Sequence, residues 1–594
     1  MLTVTAANDY AGGTTLSAGT LAVANSAALG SGGVFVNGGI LRTAGAPKTI
    51  NIGGNYTQAA GGILLLGLGG NNVGQYDRLS IAGSASLGGT LRVESRNGFQ
   101  PALGDTFAVL DAAGGRSGQF AQLAQPDIAL KLEAEYTPTA VTLVATQASF
   151  VQILAQMQQA PANGGGSKGP GFTAPAITPT QFAVAGALDS ALGDTRAAKL
   201  IAFLDKLPLG ALPGAFEEIA PEELASIFNL GVSLAGVQNT NLQRRMDDLR
   251  SGSNGFSAAG FAMSGSQPSY SGGFGLAGAA GPEGKLGKTI IAPAPDNRWG
   301  VFVTGLGEFV NVDSTDNARG YDLSTGGVTL GIDYRVSPGF AIGVNAGYAR
   351  TSADLVNDGR VTVDGGKLGL YATLFCPSGF YLDAAVGTGV NSYATQRRGL
   401  QGRARGDTDG TEFNALLGTG YDCKKGALTI GPTATFQYTR VEIDGFRERG
   451  SLAPLEIARK SGESVRATFG LKASYELKFG RILVKPELRA AWQHEFGDRA
   501  YALDARFANG AGNTFTVDGP QIGRESLLLG AGVVVQFSER TSAYVYYDAQ
   551  IGPHQLRQPQ RQRRLPAGVL NVRHCAVESA VSHSNGHILS HFPK

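Results

Sequence analysis

Two glycine-rich stretches contain residue types that could cradle a phosphate. GPEGKLGKT (Gly281–Thr289) ends like a nucleotide-binding loop, and LLLGLGGNNVG (Leu64–Gly74) begins like a dinucleotide fingerprint. The first has one residue too many between Gly281 and Gly287, and the second has Asn72 where the fingerprint needs its third glycine. We therefore predict no cofactor-binding residue in either stretch.

Residues suited to hydrolytic or metal chemistry are also sparse. GDTF (Gly104–Phe107) has Thr106 where an esterase of the GDSL class needs its nucleophilic serine. Four of the six histidines lie beyond residue 570, which leaves His494 and His554. Two separated histidines are too few for a metal cluster. The prediction is a protein that is not an enzyme, with no catalytic residue, no cofactor and no metal.

Charge and cysteine usage exclude further classes. The formal net charge is only +2, from 49 basic and 47 acidic residues, which argues against a nucleic-acid partner. The three cysteines, Cys376, Cys423 and Cys575, match neither a zinc site nor a dense disulfide framework. No apolar run reaches the roughly 18 residues that predict a transmembrane helix. A transmembrane barrel stays possible, because its strands need only about ten alternating residues.

The strongest pattern is two-residue alternation in residues 298–551. In SVRATFGLKASYEL (Ser464–Leu477) seven apolar residues alternate with polar or small ones, as in a strand with one greasy and one wet face. Eleven such strands begin near Arg298, Tyr321, Phe340, Arg360, Phe380, Thr411, Ala427, Ser464, Arg481, Arg524 and Thr541. Short turns at one end face mostly long loops at the other, the long ones being Arg397–Gly410, Arg447–Gly462 and Asp498–Pro520. This layout predicts an antiparallel transmembrane β-barrel with a polar lumen, and we expect His494 in that lumen or in a loop.

Residues 1–150 have a different rhythm. In YAGGTTLSAGTLAVANSAALGSGGVFVNGGILRTAG, short apolar runs are separated by Gly-Gly pairs. Glycine at this density makes helix improbable in this region. Short strands at close spacing predict a β-solenoid whose rungs bury their apolar faces against one another. Residues 151–297 then form a linker. It contains the Gly/Pro-rich Ala160–Thr180 and a candidate helix over 221–250, which would be either a pore helix or a surface helix of a small helical domain.

Both ends of the chain resemble parts of one protein family. Tyr10–Thr15, Gly19–Val23, Ala28–Gly30 and Val36–Leu41 are similar to the autotransporter-associated β-strand repeat, although a generic Gly-rich solenoid is the alternative. The ordered strands from Arg298–Phe309 to Tyr544–Gly552 resemble the autotransporter β-domain of type V secretion. The resemblance implies a mainly β protein with an N-terminal right-handed β-solenoid fragment, a short helical linker and a C-terminal barrel of the twelve-stranded type.

The family resemblance also implies a location and partners. We expect the Gram-negative outer membrane, with residues 1–150 at the cell surface. The implied partners are outer-membrane lipid, the barrel-assembly machinery and periplasmic chaperones, with a host or surface ligand for the passenger and a monomeric state. Some autotransporters cut themselves at an Asn-Asn junction in the pore helix. Here Thr240 precedes Asn241, so we do not expect cleavage there.

The last 43 residues, 552–594, change character. HQLRQPQRQRRLP (His554–Pro566) can form no apolar strand, although the family resemblance implies a twelfth strand at this place. Codons can be chosen for these residues so that reading one nucleotide later gives TNYDSHNVSGGF, the turn and start of such a strand. We predict a disordered, out-of-frame tail and a lost or disrupted closing strand; a basic tail that is solvated or binds an anionic partner is the alternative. Eleven antiparallel strands would leave an open seam, so we expect this chain to insert poorly.

The sequence thus predicts an outer-membrane translocator that exports and displays its own adhesin-like, non-enzymatic β-solenoid. Two alternatives remain: a passive porin-like channel, and the barrel end of a protein whose catalytic passenger lies upstream. The start of the sequence has no basic and apolar leader, so we expect the signal peptide to lie outside it.

Overall fold

The computed structural model describes residues 1–159, 177–251, 256–264, 269–273 and 298–552, except for 313, 315–318, 356–357, 499, 522 and 539–540. The predicted linker Ala160–Thr180 therefore lies mostly outside the described residues. The GPEGKLGKT stretch and the tail after Gly552 lie outside them entirely.

The N-terminal region is built from fourteen short strands. They are β1 Leu2–Val4, β2 Thr14–Leu16, β3 Thr20–Val23, β4 Val34–Thr43, β5 Thr49–Ile52, β6 Tyr56–Leu68, β7 Arg78–Ile81, β8 Ala85–Leu87, β9 Thr90–Ser95, β10 Thr106–Ala112, β11 Arg116–Gly118, β12 Gln122–Ala124, β13 Lys131–Tyr136 and β14 Ala140–Thr146.

Parallel pairing stacks these strands into rungs. One sheet runs β1-β3-β4-β6-β8-β11 and the other runs β13-β14-β10-β7-β5, in which β13, β14 and β10 pair antiparallel. Val34, Val36 and Leu41 of one rung and Tyr56 and Leu64 of the next are fully buried, so each rung covers its neighbour. This is the rung-on-rung packing that the Gly-rich apolar runs predict.

Five α-helices follow: α1 Phe150–Gln159, α2 Pro179–Ser190, α3 Ala198–Leu204, α4 Leu212–Ile219 and α5 Ser226–Arg250, with 3₁₀ turns at Leu209–Ala211 and Glu222–Ala225. The helix predicted over 221–250 is therefore present as a 3₁₀ turn and α5. α2 begins with a capping box, in which the Thr178 hydroxyl accepts from the Gln181 N–H and the Gln181 side-chain oxygen accepts from the Thr178 N–H. Within the described part of the chain, no helix is long and apolar enough to cross a bilayer.

The C-terminal region is one large curled sheet with a small accessory sheet. Its strands are β15 Phe256–Ser264, β16 Ser269–Gly273, β17 Trp299–Val312, β18 Tyr321–Ser337, β19 Phe340–Leu355, β20 Gly359–Phe375, β21 Phe380–Gly399, β22 Gly402–Tyr421, β23 Cys423–Lys425, β24 Leu428–Ile443, β25 Phe446–Arg447, β26 Leu455–Ile457, β27 Lys460–Tyr475, β28 Leu477–Phe479, β29 Ile482–Glu495, β30 Ala502–Phe507, β31 Phe515–Asp518, β32 Glu525–Ser538 and β33 Thr541–Ile551.

Eleven of these strands are the predicted wall: β17 to β22, β24, β27, β29, β32 and β33 pair antiparallel in sequence order. Their alternation separates an apolar outside from a polar inside. Leu471 is 59% exposed on the outer face, whereas its neighbour Lys472 is 7% exposed on the inner face. The predicted fold class, mainly β with a C-terminal antiparallel barrel and a short helical linker, is confirmed.

One predicted loop is wrong. Arg397–Gly410 is not a loop, because β21 and β22 continue as two strands of 20 residues joined by the tight turn Leu400–Gln401. Polar side chains on the inner face of this stretch had broken the apolar alternation in the sequence. The two other long connections contain strands of their own, and β25, β26, β30 and β31 form a separate four-stranded sheet above the wall. We call this long-connection end of the barrel the mouth and the opposite end the turn end.

Candidate functional site: the barrel lumen and its mouth

Helix α5 lies inside the barrel. It contacts β17, β18, β19, β20, β21, β22 and β24. Its first residues lie at the mouth, where Phe228 stacks on Tyr501 with ring centroids 5.1 Å apart and the Asn229 amide donates to the Tyr321 hydroxyl at 2.7 Å. Its last residues lie at the turn end, where the Leu249 carbonyl accepts from Arg335 at 2.7 Å. The helix therefore runs the length of the lumen, with the solenoid on the mouth side.

The mouth half of α5 packs mainly by shape. Leu230, Val232 and Leu234 are buried in the same apolar cluster as wall residues Tyr393 and Val441. At Gly231 the backbone approaches so closely that an added Cβ would lie 2.9 Å from both methyl groups of Val441. This half of the helix fits the wall without room for a larger residue.

The central part of α5 is held by neutral polar contacts. The Gln238 amide donates to the Asn345 Oδ1 at 2.8 Å, and the Asn241 amide donates to the Thr329 hydroxyl at 3.3 Å. Asn241, the residue considered for self-cleavage, lies within the continuous helix. The prediction that it is not cleaved stays a prediction.

The turn-end half of α5 is held by buried ion pairs. Arg245 donates from Nε and Nη2 to the Asp333 carboxylate at 2.7 and 2.9 Å, and the Tyr371 hydroxyl donates to the same carboxylate at 2.7 Å. The two charged side chains are 1% and 2% exposed. Such bidentate pairing with a third hydrogen bond is the geometry that a buried pair needs to offset its desolvation.

A second cluster surrounds Asp247. Its carboxylate pairs with Lys472 at 2.9 Å and with Arg489 at 3.1 Å, and it also pairs with Arg250 one turn further along the helix. Arg250 in turn bridges to Asp383 on β21. Helix charges of both signs thus meet opposite charges on β18, β21, β27 and β29, which fixes the rotation and depth of α5 in the lumen.

The mouth is covered by a second structure, which we call the cap: α1 to α4, the 3₁₀ turns Leu209–Ala211 and Glu222–Ala225, and the sheet β25-β26-β30-β31. Its apolar side chains, among them Phe150, Phe216 and Phe507, form one cluster that continues into the lumen. The Asn509 side-chain amide donates to the Arg196 carbonyl at 2.8 Å, which joins a loop of the sheet to the linker. The solenoid contacts the cap through Gln100, whose amide donates to the Lys206 carbonyl at 2.8 Å.

Arg397 links the cap to the wall. It donates from Nε and Nη2 to the Glu448 carboxylate at 2.7 and 2.8 Å, and its remaining N–H groups reach the carbonyls of Glu218, Ile219 and Ala220 at 2.8 to 3.2 Å. Those carbonyls belong to the end of α4, where helix carbonyls have no helical partner. One buried guanidinium therefore joins β21, the β25–β26 connection and α4.

Two carboxyl groups below Arg397 have shifted pKa values. Burial raises the pKa of Glu222 to about 8 and that of Glu223 to about 7. Nearby Arg397 lowers both pKa values, but by less than burial raises them. A cavity of about 420 Å³ opens beside Glu223 and is also lined by Arg319 and Arg398 among others.

Two of the sequence motifs considered for chemistry lie in turns and strand ends. Leu64–Gly74 spans the end of β6 and a turn rather than a strand followed by a helix. Asp105 of GDTF accepts from the Ala102 N–H at 2.8 Å in a turn. Across the described ranges, no group of three His, Cys, Asp or Glu side chains could hold a metal.

The prediction that His494 lies in the lumen or in a loop is wrong. It lies on β29 between Trp492 and Phe496, on the outer face, and its Nδ1 is 2.7 Å from the Glu525 carboxylate. The two-residue register with the exposed Trp492 and Phe496 could have shown this from the sequence. Cys376 and Cys423 are both exposed and unbonded to each other.

Part of this chain is similar to known proteins. Residues 301–548 match the family model of the autotransporter β-domain. The extracellular serine protease of Serratia marcescens is 27% identical over 274 residues, which cover 45% of this chain and 26% of that protein. Esterase EstA of Pseudomonas aeruginosa is 29% identical over 236 residues, covering 37% of this chain and 35% of that protein.

The pertactin autotransporter of Bordetella parapertussis is 26% identical over 283 residues, covering 45% of this chain and 28% of that protein. The chain thus spans about a quarter to a third of the length of these relatives. Among solved structures, the translocator domain of NalP from Neisseria meningitidis aligns with a TM-score of 0.33 at 16% identity, over 43% of this chain and 86% of that one. The β-domain of the Bordetella autotransporter BrkA aligns with a TM-score of 0.33 at 21% identity, over 43% of this chain and 98% of that one.

Proposed function

We propose, from the premise that residues 301–548 are an autotransporter β-domain, that this chain exports and displays its own N-terminal β-solenoid on a Gram-negative cell. The β-domain is an outer-membrane translocator, and its relatives carry surface-exposed passengers. The observation that carries the proposal is the path of the chain. α5 fills the lumen, and the segment before it leaves at the mouth and continues through the cap into the solenoid.

The translocator part works by enclosure rather than by turnover. The hydrogen-bonded ladder of the wall satisfies backbone groups in lipid, and the polar inner face accommodates a polypeptide. The outward segment buries apolar surface only after it has passed the bore, first in the cap and then rung by rung. Burial outside therefore opposes return of the chain.

We propose that the displayed solenoid is a surface or adhesive structure without catalytic activity. Residues 1–159 contain no histidine and no cysteine, so this stretch has no base or thiol for a Ser-His or Cys-His nucleophile. Its fully buried carboxylate, Asp77, accepts from the Thr43 hydroxyl, the Lys48 and Gly67 N–H groups and Arg96 at 2.6 to 3.0 Å. Those four partners support a structural role for it.

The partners follow from the same proposal. The outer face would contact membrane lipid, insertion would use the barrel-assembly machinery and periplasmic chaperones, and the solenoid would meet a host or surface ligand. One barrel with its own lumen helix is compatible with a monomer.

A protease-accessibility experiment tests export. The chain, preceded by a cleavable secretion signal, is produced in a Gram-negative host, and intact cells are treated with trypsin. We expect trypsin to remove the solenoid from intact cells and to leave the barrel. A matched chain that lacks residues 298–551 should stay protected inside the cells. A solenoid protected in intact cells despite a folded barrel would overturn the proposal.

Related measurements distinguish this function from two others. A passive channel would conduct ions steadily, whereas we expect low conductance that rises when residues 1–250 are removed. A catalytic passenger is suggested by the relatives named as a serine protease and an esterase. Labelling of intact cells with a fluorophosphonate probe would support that function, and we expect no labelling of residues 1–159.

A further inference from the structure

The barrel wall has a seam between its first and last long strands. β17 runs from Trp299, opposite Tyr334 near the turn end, to Val312, opposite Tyr321 at the mouth. β33 starts at Thr541, directly after a short connection from β32, and also runs towards the mouth. The two strands are therefore parallel, and in the pairings of the described residues they are not bonded directly to each other. Open edges here would cost several kcal/mol for each unsatisfied group in lipid.

A segment from the linker lies in this seam. β15 pairs parallel with both edges: Phe256 is the register partner of Val301 and of Thr541, and Met263 is that of Gly307 and of Tyr547. β16 pairs antiparallel with both edges, with Tyr270 opposite Phe309 and Ala549. Together β15 and β16 pair with Thr541, Ser542 and residues 546–550 of β33.

The composition of this segment suits a membrane wall. The 32 residues Ser251–Pro282 contain no Asp, Glu, Lys or Arg, in a chain that is 16% charged. At that average, about five charges would be expected. Charged side chains are costly on a lipid-facing strand. The nine residues of β15 also match the roughly 9–11 that a tilted transmembrane strand needs.

The lumen helix α5 ends close to the seam in which β15 begins. The Leu249 carbonyl accepts from Arg335 of β18, the strand next to β17, at the turn end. Phe256, where β15 begins beside Val301, is only six positions after Arg250, with five residues between them. Six residues can span about 20 Å, so the chain can pass directly from the lumen into the seam.

We propose that β15 and β16, residues 256–264 and 269–273, close the barrel from within the same chain, in the place of a twelfth wall strand. The two strands pair with most of both free edges, so the β-domain can reach a closed state without a strand after Gly552. The proposal rests on residues 298–551 being a barrel, as in the proposed function. It runs against the expectation from the sequence that the chain inserts poorly.

A cysteine cross-link tests the register. Ser257 and Ser542 are register partners, and replacing both with cysteine changes little in size. The full chain carries S257C and S542C with Cys376, Cys423 and Cys575 changed to serine. The matched control joins S257C to S474C, because Ser474 is a buried inner-face residue of β27 with other strands between it and the seam. After mild oxidation we expect at least a tenfold larger cross-linked fraction for the Ser257–Ser542 pair than for the control.

Equal cross-linking in the two variants, with both folded, would overturn the proposal. Should S257C/S542C fail to fold, amide hydrogen exchange of the unchanged chain in detergent gives a second measurement. Protection of residues 256–264 as strong as that of β17 supports closure, and exchange as fast as in an unfolded peptide refutes it. Surface exposure of the solenoid without the cross-link would reject this proposal alone. Failure to form any heat-modifiable barrel would reject the proposed function as well.

Discussion

Arg245 of the lumen helix and Asp333 of β18 form a two-point ion pair deep in the barrel, with both side chains buried. The pair fixes one angular position of α5, because Asp333 is also held by the Tyr371 hydroxyl. Removing one partner leaves a buried charge, which typically costs about 3–5 kcal/mol.

We expect Arg245→Met to lower the temperature at which the heat-modifiable band unfolds by about 10 °C, since each kcal/mol is worth roughly 2–4 °C in a domain of this size. Single-channel conductance should rise, because the turn-end half of α5 loses its anchor. The double variant R245M/D333L removes both charges and should recover most of the stability. The matched control is Arg440→Met, which breaks an exposed pair with Glu463 and should cost about 0–1 kcal/mol. If R245M and R440M behave alike, the pair does not anchor the helix.

Arg397→Gln should release the cap while the wall stays folded. The substitution leaves Glu448 without its ion pair and removes the donors that satisfy the end of α4. Limited proteolysis should then cut between residues 179 and 219 at least tenfold faster, with an unchanged heat-modifiable barrel. Arg398 is the natural control, because it neighbours Arg397 but pairs with Glu218 while 61% exposed. Equal cleavage rates in R397Q and R398Q would show that the buried contacts do not hold the cap.

The cap should become less stable as the pH rises from about 5 to 8. Burial raises the pKa of Glu222 from 4.5 to about 8 and that of Glu223 from 4.5 to about 7, so the folded cap binds more protons than the unfolded chain in this window. The stabilisation that these two carboxyl groups contribute is therefore fully present below their pKa in the unfolded chain. It is lost as the pH rises towards their pKa in the folded cap, by at most about 1.4 kcal/mol per pH unit for each group.

Amide exchange of α4 measured from pH 5 to 8, after correction for the intrinsic exchange rate, checks this slope. The double variant Glu222→Gln and Glu223→Gln should flatten it, because an amide does not titrate. Glu218→Gln, which changes a carboxylate paired with Arg398 at the surface, should leave the slope in place. A slope that survives the double variant would assign the pH dependence to other groups.

The sequence predicted the barrel well and its contents poorly, for a physical reason. Alternation over Ser464–Leu477 is a local signal, because one lipid-facing side requires an apolar residue at every second position. The partners of α5 are set by three-dimensional closure. Nothing local in the sequence links Arg245 to Asp333, 88 positions away. The isolated charges at inner-face positions of wall strands, such as Asp383 and Lys472, were nevertheless a readable sign that the lumen holds opposite charges.

The same reasoning explains why the cap could not be predicted from the sequence. Its sheet is built from connections that looked irregular, since β25 and β26 are only two and three residues long and carry no periodicity of their own. Arg397 looked like a loop residue, because a buried arginine on a strand breaks the apolar pattern. Only its contacts with Glu448 and the end of α4 show why a charge is needed there.

Gly231 and Gly236 of α5 offer a matched pair for measuring how tightly the helix fits. Alanine at either position should favour the helix by about 1 kcal/mol, because glycine is a poor helix former. At Gly236 an added Cβ has no heavy atom within 4 Å, so Gly236→Ala should stabilise the lumen helix. At Gly231 the Cβ would meet both Val441 methyl groups at 2.9 Å, so Gly231→Ala must displace the helix or the wall, at a typical cost of about 1–3 kcal/mol.

The temperature of thermal unfolding, measured on semi-native gels, should therefore move in opposite directions for Gly231→Ala and Gly236→Ala. Adding Val441→Ala to Gly231→Ala makes room for the new methyl group and should recover part of the loss. An equal gain at both glycines would mean that α5 lies farther from β24 than this fit requires.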